Sequence, residues 1–430
     1  MTVREARPVA GGGVCSEELT LPGFTHDVMS AVYPMTLSSP FFRGFGLNVD
    51  WVHPEAPAAH PLDDGTAVML ERDVARTAEG LGQDGAHYLA MMQPLADEWL
   101  ALADDALAPL GIPKHPLLMA RLGWTALRVR TGFRGVRAQA MFAGLAAHSC
   151  LPLEHPISSA MGLVLGVSAH GVGWPSPRGG AQRLAGALVM KLEEHGGSIE
   201  TSWDVRTLGE GGLTLCDVTP RQFLKLAGER LQANYRKRLE RYRYGPGAFK
   251  VDWALDGPVP WRAKECSRAA TVHVGGTYEE IAESERAAWE GRICERPFCL
   301  VTQPSLFDAS RAPQGKHTLW AYCHVPNGST EPMAERIEAQ IERFAPGFRE
   351  LILARSVMAP AQLEALNGNL VGGDINGGAM DIPQFLMRPT IARYRTPLRG
   401  VYLCSSSTPP GGGVHGMCGY YAAKEALKNL

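Results

Sequence analysis

The residues best placed to do chemistry lie near the C-terminus, in Leu403-Cys404-Ser405-Ser406-Ser407-Thr408-Pro409-Pro410-Gly411-Gly412-Gly413-Val414-His415-Gly416. Val401 to Leu403 reads as a short apolar strand, and the chain from Gly416 to Leu430 carries Ala, Glu, Leu and Lys at helical density. A strand, a glycine-rich turn and a helix start leave backbone N–H groups unpaired. They let a ligand approach closely and add the positive end of a helix dipole, which suits a phosphate or an anionic ring edge. The plainer alternative is an ordinary loop before a final helix. His415 has the chemistry of an acid or base, although a lone histidine more often packs or hydrogen-bonds.

Other candidates are weaker. Pro177-Arg178-Gly179-Gly180 opens a helix expected over Ala181 to His195, which Gly196-Gly197 ends, and this is also plain punctuation. Gly166-Val167-Ser168-Ala169-His170 misses the spacing of a nucleophile elbow, so Ser168 and His170 read as packing or lining residues. No triad or metal cluster is evident, and no metal site is expected. The nine cysteines are scattered and form no C-x-x-C pair. Reduced thiols in a cytoplasmic setting are therefore expected.

The elements that position these residues follow in chain order. Thr2 to Arg7 has strand character and contains the acidic Glu5, followed by Pro8 and Gly11-Gly12-Gly13. In a dinucleotide-binding fold an acidic residue ending the second strand binds the adenosine ribose, with a Gly-x-Gly-x-x-Gly turn ~20 residues earlier. The segment from Pro34 to Pro61 reads as loop-rich. Helices are expected over Glu71 to Ala78, Gly85 to Ala108, Pro116 to Leu127 and Gly135 to Ala147, with Ser158 to Gly173 as the most buried part. Gln222 to Tyr244 reads as one Lys- and Arg-rich helix with a solvated face. Phe249 to Leu255, Thr271 to Val274, Phe298 to Gln303 and Lys316 to Val325 alternate as strands of an antiparallel or mixed sheet. Met333 to Phe344 reads as a helix and Asn369 to Gly378 as a long loop.

With 430 residues the chain exceeds one small core, and 45% hydrophobic and 20% charged residues are ordinary for a globular protein. A formal charge of −2 gives no electrostatic case for nucleic acid. Membrane-surface contact is not indicated, and the oligomeric state is not legible.

Four segments together resemble the phytoene desaturase-like, FAD-dependent oxidoreductases of the carotenoid and retinoid family: Glu5 to Pro34, Pro177 to Val205, Gly372 to Arg388, and Tyr394 to Gly419. The resemblance implies an α/β fold: a Rossmann-like FAD/NAD(P)-binding domain of residues 1–50, 175–225 and 395–430, incomplete at its N-terminus. Into it would be inserted a substrate domain of mixed sheet plus helices, residues 51–174 and 226–394. It implies FAD as cofactor, with Glu5 on the adenosine ribose, Gly12 and Gly13 beside the pyrophosphate and ribityl region, and Val205 meeting the adenine. Ser405 and Ser406 would lie near the pyrophosphate or ribityl chain, while Gly413, Val414 and His415 would abut the isoalloxazine.

The implied activity is hydride transfer to or from flavin N5 with a hydrophobic substrate of polyene or lipid type, in a pocket around Trp253, Trp261, Trp320 and Tyr322. The chain departs from the family where a glycine phosphate loop should precede Glu5. Either Met1 lies inside a longer protein, or this is a short form that binds flavin poorly and serves as an interaction protein. A flavin-bound isomerase is a further alternative.

Overall fold

The computed structural model describes residues 1–209 and 212–428. Residues 210–211 and 429–430, which fall in the segments expected to bind cofactor and in the expected last helix, lie outside the described residues.

Alternation in the sequence becomes a mixed sheet of seven strands. Their order is Ile352–Met358, Gly247–Leu255, His317–Val325, Cys299–Thr302, Ala269–Val274, Ala56–Pro61, Ala67–Leu70. Every neighbouring pair is antiparallel except Ala269–Val274 with Ala56–Pro61, which is parallel. The two-residue period sends Phe249, Val251, Trp253 and Leu255, with Leu319, Ala321, Cys323 and Val325, to one face. There they meet Ile337, Ile341 and Phe344 of the helix Ala334–Phe344. Each fully buried leucine or isoleucine contributes roughly 1.5–3 kcal/mol.

The other face meets a helical layer. Ala58, Ala270 and Leu300 join Met141, Phe142 and Leu145 of Val136–Ala147 and Leu163 of Pro156–Gly171. The helix Val136–Ala147 comes so close that a Cβ on Gly144 would lie 2.6 Å from His273 Nδ1. Only a residue without a side chain allows that approach.

Three expectations need correction. Residues 56–61 and 67–70 are strands, although 34–61 read as loop-rich and the stretch from 63 as helical. The Ala- and Pro-rich 56–61 has low β-propensity, and pairing with the rest of the sheet overrides it. Gln222 to Tyr244 is not one helix but Pro220–Ala227 and Ala233–Glu240, separated at Gly228, whose φ is 53°. The break lets Phe223 and Leu239 from the two helices both pack on Val401 and Leu403. The expected pocket around four aromatics is split by the sheet, because Trp253 and Trp261 lie in the core opposite Tyr322. Trp253 donates to Glu338 at 3.0 Å and meets Phe348 edge-on.

No described helix is long and apolar enough to cross a membrane.

Candidate functional site

Two small parallel pairs frame the first half of the site. Thr2–Arg4 pairs with Ser198–Glu200, and Val401–Leu403 with Thr214–Cys216. Glu5 follows the first strand and Asp217 follows Thr214–Cys216. The Asp217 side chain is accessible, yet protein surrounds it; this enclosure, then the charge of Glu5, pushes its pKa up to about 6. Two neighbouring carboxylates at the C-terminal ends of parallel strands can accept hydrogen bonds from the hydroxyls of a sugar. Glu5 is held in place by its own backbone, which donates to Glu200 at 2.9 Å and accepts from Trp203 at 2.8 Å. Its Oε1 also takes the Arg7 N–H at 2.8 Å.

The glycine loop and the tail converge on residues 30–39. The Gly13 carbonyl accepts from the Ser30 N–H at 3.2 Å and the Ser30 hydroxyl at 3.1 Å. Thr36 donates to the Val414 carbonyl, and Ser39 donates to the His415 carbonyl at 2.5 Å. Val14 and Val414 both pack against the cluster of Tyr33, Ala181 and Leu184. At Gly12, with φ of 57°, a Cβ would meet nothing within 4 Å, so the loop opens onto free space.

His415 is pinned within its own loop. Its Nδ1 accepts from the Met417 N–H at 3.0 Å, and its Nε2–H donates to the Gly411 carbonyl at 3.2 Å. Burial pushes its pKa down to about 4, so the ring is neutral. It thereby caps the helix Met417–Leu427, whose N-cap position is Gly416.

The serines are braced from behind. Ser405 donates to the Val218 carbonyl at 2.9 Å, and the Ser406 carbonyl accepts from Arg388 Nε at 2.9 Å. Arg388 is fully buried and directs its remaining donors at the carbonyls of Asn376, Gly378 and Ala379. Val205 is half-buried in the irregular segment after Ser198–Glu200.

At the second glycine signal, the protein fills the helix start itself. Asp27 Oδ1 accepts from the Ala181 N–H at 2.8 Å, and the Ser16 hydroxyl from the Gln182 N–H at 3.2 Å. Arg311 neutralises Asp27 at 2.6 Å, with both side chains buried. The turn Pro177–Gly180 is thus tied to protein groups.

The second half of the site is the sheet face toward the helices. Lys250 pairs with Asp252 beneath Trp320, its Nζ 5.6 Å from the ring centre. Burial raises the Asp252 pKa to about 6 even with Lys250 beside it. Burial, then Lys250 and Arg311, lowers that of His26 to about 3. His148 and His273 face each other at 3.0 Å between their Nε2 atoms, and burial lowers the pKa of both. Tyr322 and His148 are half-buried on this face. Half-buried Met29, Met35, Met161 and Val164 add apolar surface around them. Met29 joins the halves: it packs on the cluster that includes Tyr322 and lies 3.4 Å from where a Gly13 Cβ would sit.

No protein-family model matches the chain. Pyridine nucleotide-disulfide oxidoreductase domain-containing protein 2 of Rattus norvegicus is 25% identical over all of this chain and 89% of that protein. The 4,4'-diapolycopen-4-al dehydrogenase of Metabacillus indicus is 31% identical over 27% of this chain and 25% of its own length. The neurosporene-forming phytoene desaturase of Rhodobacter capsulatus is 26% identical over 56% of this chain and 51% of its own. The chain is thus similar, over all or part of its length, to proteins named as oxidoreductases and desaturases. Its fold agrees: an oxidoreductase from Methanosarcina mazei superposes with a TM-score of 0.64 at 16% identity, over 99% of this chain and 94% of that one. A redesigned putrescine oxidase gives 0.56 at 15% identity, over 99% and 92%. The fold is therefore that of the FAD-dependent oxidoreductases, Rossmann-like with a large mixed sheet.

In this chain, Gly13, Val414 and His415 are brought together around residues 30–39, whereas Ser405 is held by Val218 and Ser406 by Arg388. Asp217, Asp27, Arg311 and Arg388 escaped the sequence reading. Asp27 stood in plain view after Pro22-Gly23-Phe24-Thr25-His26. Asp217 and Arg311 gain their roles from partners remote in sequence, and Arg388 from carbonyls of loops 9 to 18 positions away.

Proposed function

We propose that this chain is an FAD-dependent oxidoreductase acting on a hydrophobic substrate. The observations that carry the reading are the neighbouring Glu5 and Asp217 at the ends of two parallel strand pairs, and Met29, which lies beside Gly13 and packs with Tyr322 on one cluster. Glu5 and Asp217 would hold the ribose hydroxyls, Gly12 would admit the pyrophosphate region, and Val205 would border the adenine. Ser405, Ser406, Gly413, Val414 and His415 would form the opposite wall. When bound, the flavin supplies the acceptor or donor of a hydride. The chain's part is to orient the substrate against that wall, exclude water with Met29, Met35 and Met161, and keep His415 neutral so that its loop holds one shape. Relatives named for phytoene and 4,4'-diapolycopen-4-al support an apolar substrate. Nine unpaired cysteines suit a reducing cytoplasm.

The test is the visible spectrum of the purified chain and its titration with FAD. Flavin bands, or saturable quenching of flavin fluorescence, are expected. Glu5→Ala weakens retention about tenfold, the loss of one hydrogen bond by a charged acceptor. A folded chain with neither bands nor quenching overturns the reading and leaves the interaction-protein alternative. Where flavin binds, its anaerobic bleaching by an apolar substrate distinguishes redox turnover from isomerisation.

A further inference from the structure

The helical side of the sheet holds a constellation that the flavin reading does not use. Cys150 Sγ lies 3.1 Å from His324 Nε2, and His324 Nδ1 lies 2.7 Å from Glu285 Oε2. All three residues are buried, and they come from separate elements: the turn after Val136–Ala147, the strand His317–Val325 and the helix Tyr278–Trp289. A sulfur, an imidazole and a carboxylate in line is the arrangement that activates a cysteine nucleophile. Cys150 also has φ of 54°, in the left-handed region where a helix end usually places glycine. A β-carbon held there, with its sulfur aimed at an imidazole, is backbone strain at a reactive group.

We propose that Cys150, His324 and Glu285 form a nucleophilic site that captures the carbonyl carbon of an apolar aldehyde. The sulfur adds to that carbon and the C=O π pair moves to oxygen. The proton on His324 Nε2 passes to that oxygen, giving a thiohemiacetal. Glu285 is a positioning residue, holding Nδ1–H. Addition is reversible and consumes no oxidant.

The surroundings agree. Although burial opposes it, Cys150 and Glu285 together raise the His324 pKa well above its ordinary value, so the ring carries the proton the step needs. The other titratable groups facing this site are His148 and Tyr322 on the open side, and Cys294, Cys299 and Cys323 around Glu285. Burial pushes up the thiols of Cys294 and Cys404, the two half-exposed cysteines. His148, next but one in sequence, and Tyr322, whose ring centre is 5.6 Å from that of His324, are half-buried on the side from which an apolar chain would arrive.

The aldehyde class rests on the apolar substrate of the proposed function, whereas the nucleophile does not, so the test uses the full chain without flavin. Iodoacetamide at pH 6, read by peptide mass spectrometry, should label Cys150 at least ten times faster than Cys294 or Cys404. Labelling of Cys150 should stay nearly flat from pH 8 to pH 6. In His324→Asn it should fall tenfold per pH unit, as for an ordinary thiol. Should that variant lose its fold by circular dichroism, the near-isosteric Glu285→Gln must shift the same profile, and an unchanged profile overturns the site. Equal or slower labelling of Cys150 in the native chain also overturns it. Dodecanal should protect Cys150 against labelling and acetaldehyde should not. Fast labelling without dodecanal protection removes the aldehyde assignment and leaves a bare nucleophile.

Discussion

His415 and His324 are buried alike, yet one is held neutral and the other protonated. His415 sits in the tail, where both ring nitrogens meet backbone groups. His324 sits on the sheet, between a sulfur and a carboxylate. Burial lowers the pKa of both rings, and only at His324 do side-chain partners, Cys150 and Glu285, outweigh it. The difference separates the two halves of the site. The tail wall is mostly backbone geometry held by hydrogen bonds, while the sheet face collects side chains whose charges set one another.

The largest expected effect breaks the link behind both halves. Arg311→Ala leaves Asp27 buried and unpaired at the start of the helix Gln182–Glu194. It should cost ~3–5 kcal/mol in urea unfolding. A loss below 1 kcal/mol would mean that the ion pair does not anchor that helix. Next comes Glu285→Gln, expected to cost ~1–3 kcal/mol by weakening a charged hydrogen bond. Its sharper signature is pH dependence. A raised folded pKa makes the His324 contribution complete below the unfolded value of ~6.5, and lost as pH rises through the folded value. That gain on acidification should shrink in Glu285→Gln, and an undiminished gain would assign it elsewhere.

His415→Ala should cost about 1–2 kcal/mol, as for a lost helix cap. The backbone readout is faster hydrogen exchange in the first turn of Met417–Leu427, with Pro156–Gly171 unaffected. The smallest effect has the opposite sign of pH dependence. His415, at about 4, contributes stability that is complete above ~6.5 and lost as pH falls toward 4. His26, His60, His148 and His170 act in the same direction. Unfolding followed from pH 7 to pH 4.5 should therefore show falling stability, with a shallower slope in His415→Asn. An identical slope would show that the tail ring does not titrate in that window.

Much of the scaffold is legible from local pattern. The strand Val401–Leu403, the turn and the final helix follow from an apolar run, a Pro-Gly stretch and helical composition. The helices Val136–Ala147 and Pro156–Gly171 follow from their apolar and small residues. Legibility fails where a local signal is weak or where partners are distant. Ala56–Pro61 has no strand propensity of its own and owes its form to two neighbours. Gln222 to Tyr244 carries continuous helical composition, and only the packing of Phe223 and Leu239 on one strand pair calls for the break at Gly228.

The sequence by itself determined the strand, glycine turn and helix of the tail, the acidic Glu5 after a strand, and the alternation of His317–Val325, because each depends on spacing along the chain. It could not determine that Trp253 and Tyr322 part to opposite faces, since that depends on how neighbouring strands register. Nor could it determine that Glu5 meets Asp217, or that Cys150 meets His324 and Glu285. Those encounters join residues from 39 to 212 positions apart, and only the tertiary structure closes such distances. The same closure sets His324 and His415 apart, because burial and partners, not residue type, move their pKa values in opposite directions.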